Sequence, residues 1–254
     1  MNVKDKGRAV KPRLAEERQQ KHTRQTNLAD LAYDRLEEQI ITCKLRPGLL
    51  LSLHDMQDLI KLGRTPVHQA VDRLAADTLV IVRPRHGLQI APVDLARCRT
   101  LSELRGDMER FVARLAAERC QASNRNEMMH LAGILRERLE VMTIVDFNRI
   151  DRRMDQLITA VADEPFLEST LRPLHSIFRR TGWIYHNWVR PEGGLSHTIE
   201  YHLALIDAII AKDAVQAMDA ASKLVQFSAS MLDELGRGTD PSLFDCNIEA
   251  FSIG

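Results

Sequence analysis

The sequence predicts a mainly α-helical protein of two parts, an N-terminal winged helix-turn-helix followed by an antiparallel all-helical bundle. Three observations carry this expectation. The stretch from Ser52 to Ile90 reads as two short helices and a tight β-hairpin; beyond Leu95 apolar residues recur at helical spacing with no convincing strand; and charge is divided unevenly along the chain.

The first short helix is announced by Ser52 with Asp55 three residues on, a capping box in which each side chain satisfies a backbone N–H left unpaired at a helix start. Leu53, Met56, Leu59 and Ile60 then fall on one face. Gly63 is expected to close this helix by entering the left-handed region, and Thr65-Pro66 to open the next as N-cap and first-turn proline. In the second helix Val67, Ala70, Val71 and Leu74 form the apolar stripe, which turns Thr65, His68, Gln69, Asp72 and Arg73 outward. These are donors and acceptors suited to base edges and phosphates. Leu79–Val82 and Leu88–Ala91 are β-rich runs joined by Arg83-Pro84-Arg85-His86-Gly87, a turn with three groups that are or can be cationic, shaped like a wing that touches a phosphate backbone.

The chain has 254 residues, 44% hydrophobic and 5% aromatic, which fits two helix-rich domains. Its zero net charge hides an asymmetry, because residues 1–92 hold 16 of the 35 Lys and Arg but only 11 of the 35 Asp and Glu. A basic front suits a polyanionic partner. Residues 1–26 carry eight Lys and Arg against three acids and little apolar content, so they read as a basic, disordered arm. From Asn27 a helix runs to Lys44, ended by Leu45-Arg46-Pro47-Gly48, and the winged domain spans residues 27–93. The helical domain spans 94–236, with helices expected at Leu101–Cys120, Asn126–Val141, Ile144–Ala162, Pro165–Trp188, Leu195–Ala211 and Asp213–Leu235. Residues 237–254 form a tail.

Cys43, Cys98, Cys120 and Cys246 are scattered, with no Cys-x-x-Cys pair, so neither a zinc finger nor a disulfide framework is indicated. The N-terminus lacks an apolar signal region, and no segment approaches the roughly 18 apolar residues of a membrane span. A cytoplasmic protein with no membrane partner is expected.

The run LGRTPVHQAVDRLAADTLVIVRPRHGLQIA resembles the DNA-binding domain of the GntR family of bacterial transcription regulators. The resemblance covers about sixty residues without a gap and implies that Arg64, Thr65 and Arg73 face DNA in and beside the recognition helix. It also implies that His86 and Gly87, beside Arg85, enter the minor groove at the wing tip. His68 and His54 stand where the family usually has basic residues, replacing a permanent cation by a ring mostly neutral at pH 7. Further on, SELRGDMERFVARLAAERC, DFNRIDRRMDQLITAVADEPFL and EYHLALIDAIIAKDAVQAMDAA resemble the FadR-like effector domain of the same family, called FCD.

That resemblance implies a candidate site. Many FCD domains hold a divalent metal through an Asp and a His four residues apart and two later His. The corresponding positions here are Asp151, Asp155, His202 and, in place of the last histidine, Leu224. A spacing of four puts Asp151 and Asp155 on one helix face, and two carboxylates with an imidazole suit Zn²⁺, Mn²⁺ or Mg²⁺. The alternative is that Asp151 is a helix-surface carboxylate among Arg149, Arg152 and Arg153, and that His202 is a hydrogen-bonded core residue. His175, His186 and His197 are further imidazoles that spacing does not rank. Arg105 matches a cavity-facing arginine that can clamp a carboxylate, or else pairs with Glu109 one turn on. Trp183, Tyr185 and Trp188 either line a pocket or pack the bundle.

The function expected is a homodimeric, effector-responsive regulator, most often a repressor, that binds an inverted-repeat operator in double-stranded DNA and responds to a small organic acid. Two alternatives stand beside it: a metal-dependent enzyme on a helical bundle, and a DNA-binding regulator without an effector. The enzyme alternative lacks a nucleophile–base constellation and a phosphate-binding glycine loop, and leaves Arg64 to Gly87 unexplained.

Overall fold

In the computed structural model, which describes residues 27–248, a small winged domain precedes a bundle of six long helices. The basic arm expected at residues 1–26 lies outside the described residues.

Helix α1 (residues 27–41) buries Ala32, Tyr33, Leu36 and Ile40. It stops at Ile41, three residues short of the expected Lys44, and the turn through Pro47-Gly48 leads into β1 (Leu50–Leu51). Helix α2 (Leu53–Ile60) carries the expected capping box: the Ser52 backbone N–H and hydroxyl donate to Asp55, and the Asp55 N–H donates back to the Ser52 hydroxyl. Lys61, not Gly63, adopts the left-handed conformation that ends α2 (φ 54°, ψ 45°). Gly63 is instead the N-cap of α3 (Arg64–Ala76), so Thr65 sits inside the first turn. Leu59, expected on the buried face of α2, is 46% exposed, because α3 crosses over Met56 and Ile60.

The wing pairs β2 (Val80–Arg83) with β3 (Gly87–Ile90), each shifted by about a residue from the expected run. Sequence reading missed β1, which pairs antiparallel with the outer side of β3 and completes a sheet of order β1-β3-β2. Gly87 has a φ of +86°, and a Cβ there would stand 2.8 Å from the Leu51 carbonyl oxygen. Only glycine satisfies both the turn and the close approach of β1.

The bundle comprises α4 (Leu95–Arg119), α5 (Ala122–Glu137), α6 (Ile144–Ala162), α7 (Pro165–Ile184), α8 (Ser196–Ile210) and α9 (Ala214–Leu235). Asp94, Thr143 and Asp213 cap three of these by accepting a backbone N–H three residues on. Helix α4 begins six residues earlier than expected, and α5 lies about four residues nearer the N-terminus. The last turn of α7 widens into a π-helical segment, Tyr185–Val189. Met128, Leu135, Met154, Leu171, Ile199 and Ile206 anchor the bundle core.

A third apolar cluster joins the two domains, with Cys43, Cys98, Phe178, Ile184, Leu232 and Leu235 buried against one another. The C-terminal segment, expected to be a tail, closes over this joint. The Val93 N–H donates to Phe244 O (2.8 Å), the Cys246 N–H to Pro47 O (2.8 Å) and Asn247 Nδ2 to Gly48 O (2.8 Å). Residues 249–254 lie outside the described residues. No helix among the described residues is long and apolar enough to cross a membrane.

Candidate functional site

Two regions carry chemistry: the exposed face of the winged domain and a buried charged cluster in the bundle.

Helix α3 buries Val67, Ala70, Val71 and Leu74, and that packing leaves Arg64, Thr65, His68 and Gln69 exposed on the other side. Its N-cap has no side-chain hydrogen bond, so the first backbone N–H groups are free to meet a phosphate. His68 Nδ1 stands 3.0 Å from the Asp72 carboxylate, and His54 Nδ1 stands 3.7 Å from Asp58, both pairs exposed. Arg73 is placed differently. It turns back to α1, with Nη1 2.6 Å from Asp30 and its guanidinium 4.4 Å from the centre of the Tyr33 ring. Arg85, His86 and Gly87 form the exposed wing tip, and Arg85 has a φ of +67°.

The buried cluster lies between α4, α6, α7 and α8. Asp151 and Asp155 point from adjacent turns of α6, as their spacing implies, and Arg179 of α7 bridges them. Its Nε lies 3.0 Å from Asp151 Oδ2 and its Nη2 3.0 Å from Asp155 Oδ2. His202 Nε2 is 3.0 Å from the other Asp151 oxygen, and its Nδ1 is 2.6 Å from the Thr198 carbonyl oxygen. His175 Nδ1 is 3.2 Å from Asp155 Oδ2 and its Nε2 is 2.8 Å from Glu109 Oε1. Arg105 pairs with Glu109 through Nε at 3.1 Å, its guanidinium lies 4.8 Å from the Phe178 ring centre, and it lines the cavity.

Burial penalises every charge in this cluster, and the partners outweigh it in most cases. Burial raises the Glu109 carboxyl, but the charges of His175 and Arg105 hold it down at about 2. Asp151 is likewise lowered, against burial, by His202 and Arg179. Burial disfavours charged His175 and His202, yet the facing carboxylates raise both. Asp155 is raised, first by burial and then by the negative charges of Asp151 and Glu109 beside it.

Beside the cluster is a cavity of about 50 Å³, lined among others by Arg105, Asp151, Arg179, His186, Thr198 and His202. Leu224 also lines it, which leaves that wall apolar where the resemblance implies a histidine. Among the remaining imidazoles, His175 belongs to the cluster and His186 to the cavity wall, whereas His197 is exposed and pairs with Glu200. Of the aromatic group, Trp183 and Tyr185 pack at the domain joint and Trp188 is largely exposed. Among the described residues no three His, Cys, Asp or Glu side chains converge as metal ligands would.

The neighbours of the cluster residues face the winged domain. Arg152, next to Asp151, pairs with Asp34 and lies 3.1 Å from Glu37 Oε2. Ser176, next to His175, donates its hydroxyl to Glu37 Oε1. Arg180, next to Arg179, donates to the Ala91 carbonyl oxygen (2.7 Å). About two turns earlier on α7, Arg172 pairs with Asp77 (3.3 Å). Sequence reasoning missed Arg179, His175 and Glu37 as a set, and the one available signal was a carboxylate, Glu37, set among the apolar positions of α1.

Known families match both parts of the chain. Residues 28–90 match the bacterial regulatory proteins of the gntR family and residues 100–227 match the FCD domain. The HTH-type transcriptional repressor RspR of Escherichia coli is 27% identical over 181 residues, which cover 71% of this chain and 78% of the repressor. The galactonate operon transcriptional repressor of Escherichia coli is 24% identical over 230 residues, covering 82% of this chain and 98% of that protein. Among solved structures, E. coli McbR/YncC superposes with a TM-score of 0.72 at 20% identity, covering 83% of this chain and 99% of that one. A putative GntR regulator from Rhodococcus sp. RHA1 superposes with a TM-score of 0.59 at 19% identity, covering 85% and 99%. These relatives are transcriptional regulators and not enzymes, and the chain belongs to the GntR family of DNA-binding transcriptional regulators, in its FCD branch.

Proposed function

We propose that this regulator is a cytoplasmic homodimeric repressor that binds a short inverted repeat and is released or retained by a small carboxylate bound beside Arg105 and His202. The observation that carries the effector part is the register of α6 and α7. Asp151, His175 and Arg179 face the cavity, while the next residue in each case, Arg152, Ser176 and Arg180, grips the winged domain. A ligand that draws on the first set displaces the second, because consecutive residues on one helix move together. Its influence then runs through Glu37 and Asp77 to Tyr33, over whose ring Arg73 of the recognition helix lies.

The carboxylate reading draws support from Arg105, and from a relative that represses a galactonate operon, galactonate being a sugar acid. Repression draws support from the two named repressors among the relatives. Dimerisation is supported by Leu104 and Phe111, which are exposed on one face of α4 on either side of the partly buried Met108. Contact with DNA is assigned to Arg64, Thr65, His68 and Gln69, with Arg73 and His54 at the edges of that face and Arg85, His86 and Gly87 on the wing.

The test is a panel of sugar acids and catabolic organic acids, scored by thermal shift and by release from an operator selected from random duplexes. An acid that stabilises wild type but not Arg105→Ala, and shifts operator affinity, is the expected result. Acids that stabilise both proteins equally would remove Arg105 as the clamp.

A further inference from the structure

We propose that Arg179 is a built-in cation standing where a divalent metal would bridge Asp151 and Asp155, so that this site works without metal and meets the effector's acid group directly. One planar fork reaches both carboxylates, with Nε 3.0 Å from Asp151 and Nη2 3.0 Å from Asp155. A metal ligated by the same oxygens at its usual distance of about 2.0–2.6 Å would lie against a fixed positive charge. The guanidinium is held on a buried stretch of α7, with Phe178 and Arg180 on either side of it buried as well.

The imidazoles give the same answer on independent grounds. A metal binds the lone pair of a neutral ring nitrogen. His202 directs Nδ1 at a backbone carbonyl and Nε2 at a carboxylate, and both of those partners only accept. In this arrangement both nitrogens point at acceptors and neither points at open space. His175 is likewise placed between Asp155 and Glu109. Glu109 Oε1 is shared by His175 and Arg105, and the wall at Leu224 adds no donor. Every ligand-type side chain of the cluster is committed to another protein group.

The charge balance indicates what the site takes instead. Within the cluster Arg105, Arg179, His175 and His202 face Glu109, Asp151 and Asp155, while Glu37, which also acts on Arg179, is matched by Arg152, so one positive charge is in excess when all are ionised. A single carboxylate entering the adjoining cavity satisfies that excess. This last step rests on the effector reading above; the absence of a resident metal does not.

The experiment uses the full-length, tag-free protein. After dialysis against Zn²⁺, Mn²⁺ or Mg²⁺, metal content is read by elemental analysis and melting is followed with and without EDTA. Wild type is expected to keep far less than one equivalent and to melt at the same temperature in all conditions. Wild type that holds one equivalent, lost in Asp151→Asn, overturns the proposal. Arg179→Gln, with its fold checked by circular dichroism, is expected to gain Zn²⁺ uptake; a folded variant that gains none shows that the guanidinium is not the metal's substitute. Should that variant not fold, the wild-type metal content decides alone. Finally, stabilisation of wild type by an organic acid is expected to survive EDTA, and stabilisation abolished by EDTA and restored by Zn²⁺ overturns the proposal. Failure of every acid to stabilise the protein would count against the effector reading while leaving the metal result intact.

Discussion

The Tyr33 hydroxyl donates to Asp77 across 2.7 Å inside the winged domain, and the same ring lies under the guanidiniums of Arg73 at 4.4 Å and Arg172 at 5.4 Å. Tyr33 thus ties the recognition helix to α7 of the bundle. Tyr33→Phe keeps the ring and removes the donor, which leaves the buried Asp77 with Arg172 alone. We expect a loss of about 1–3 kcal/mol, the cost of an unsatisfied buried acceptor, read from denaturant unfolding. Unchanged stability would mean that water or Arg172 satisfies Asp77 without the tyrosine.

The two arginines assigned to DNA should separate. Arg64 is exposed at the start of α3 with no salt-bridge partner among the described residues, so Arg64→Ala should cost about 1–3 kcal/mol of operator affinity while melting stays unchanged. Arg73 holds Asp30 and Tyr33, so Arg73→Ala should lower melting as well as affinity. Loss of affinity without loss of stability in Arg73→Ala would place it on DNA and not on α1.

Gly87→Ala tests the wing. The added Cβ meets the Leu51 carbonyl oxygen at 2.8 Å in a backbone conformation that disfavours alanine, so β1 or the turn must move. A destabilisation of about 1 kcal/mol or more is expected, together with weaker operator binding. A variant as stable as wild type would show that the β1–β3 approach is slack.

Burial holds the His186 imidazole well below the usual histidine range, at about 4, against a weaker upward pull from the Gly194 backbone. The unfolded chain takes up this proton near 6.5, whereas the folded protein resists it down to about 4. The contribution of His186 to stability is therefore complete above pH 6.5 and lost as the pH falls toward 4. Replacing it by glutamine, which does not titrate, should flatten the decline of the melting temperature across that window. Curves that fall in parallel would mean His186 is already protonated in the folded state.

What the sequence disclosed was local. The Ser52–Asp55 box, the apolar stripe of α3 and the turn before Gly87 depend on residues a few positions apart, and all appear in the structure. Lys61 took the role expected of Gly63, and Gly63 that expected of Thr65, because either residue can end a helix when the next one must start within three positions. The pair Asp151 and Asp155 was visible from its spacing and His202 from the resemblance. Their partner Arg179 was not, because which face of α7 meets α6 is decided by packing among Leu171, Leu174 and Phe178 and the helices around them. The closure of the joint by residues 244–247 was hidden for the same reason, since its hydrogen bonds run largely through backbone groups that carry no sequence signature.

The most direct test of the central claim is selection of duplexes by the full-length protein from a random pool, followed by stoichiometry and affinity on the enriched sequence. The account predicts a short inverted repeat bound by two protomers, with affinity falling steeply as salt rises and weakened by Arg64→Ala. Enrichment of no sequence, or binding of one protomer per duplex that Arg64→Ala leaves unchanged, would contradict it.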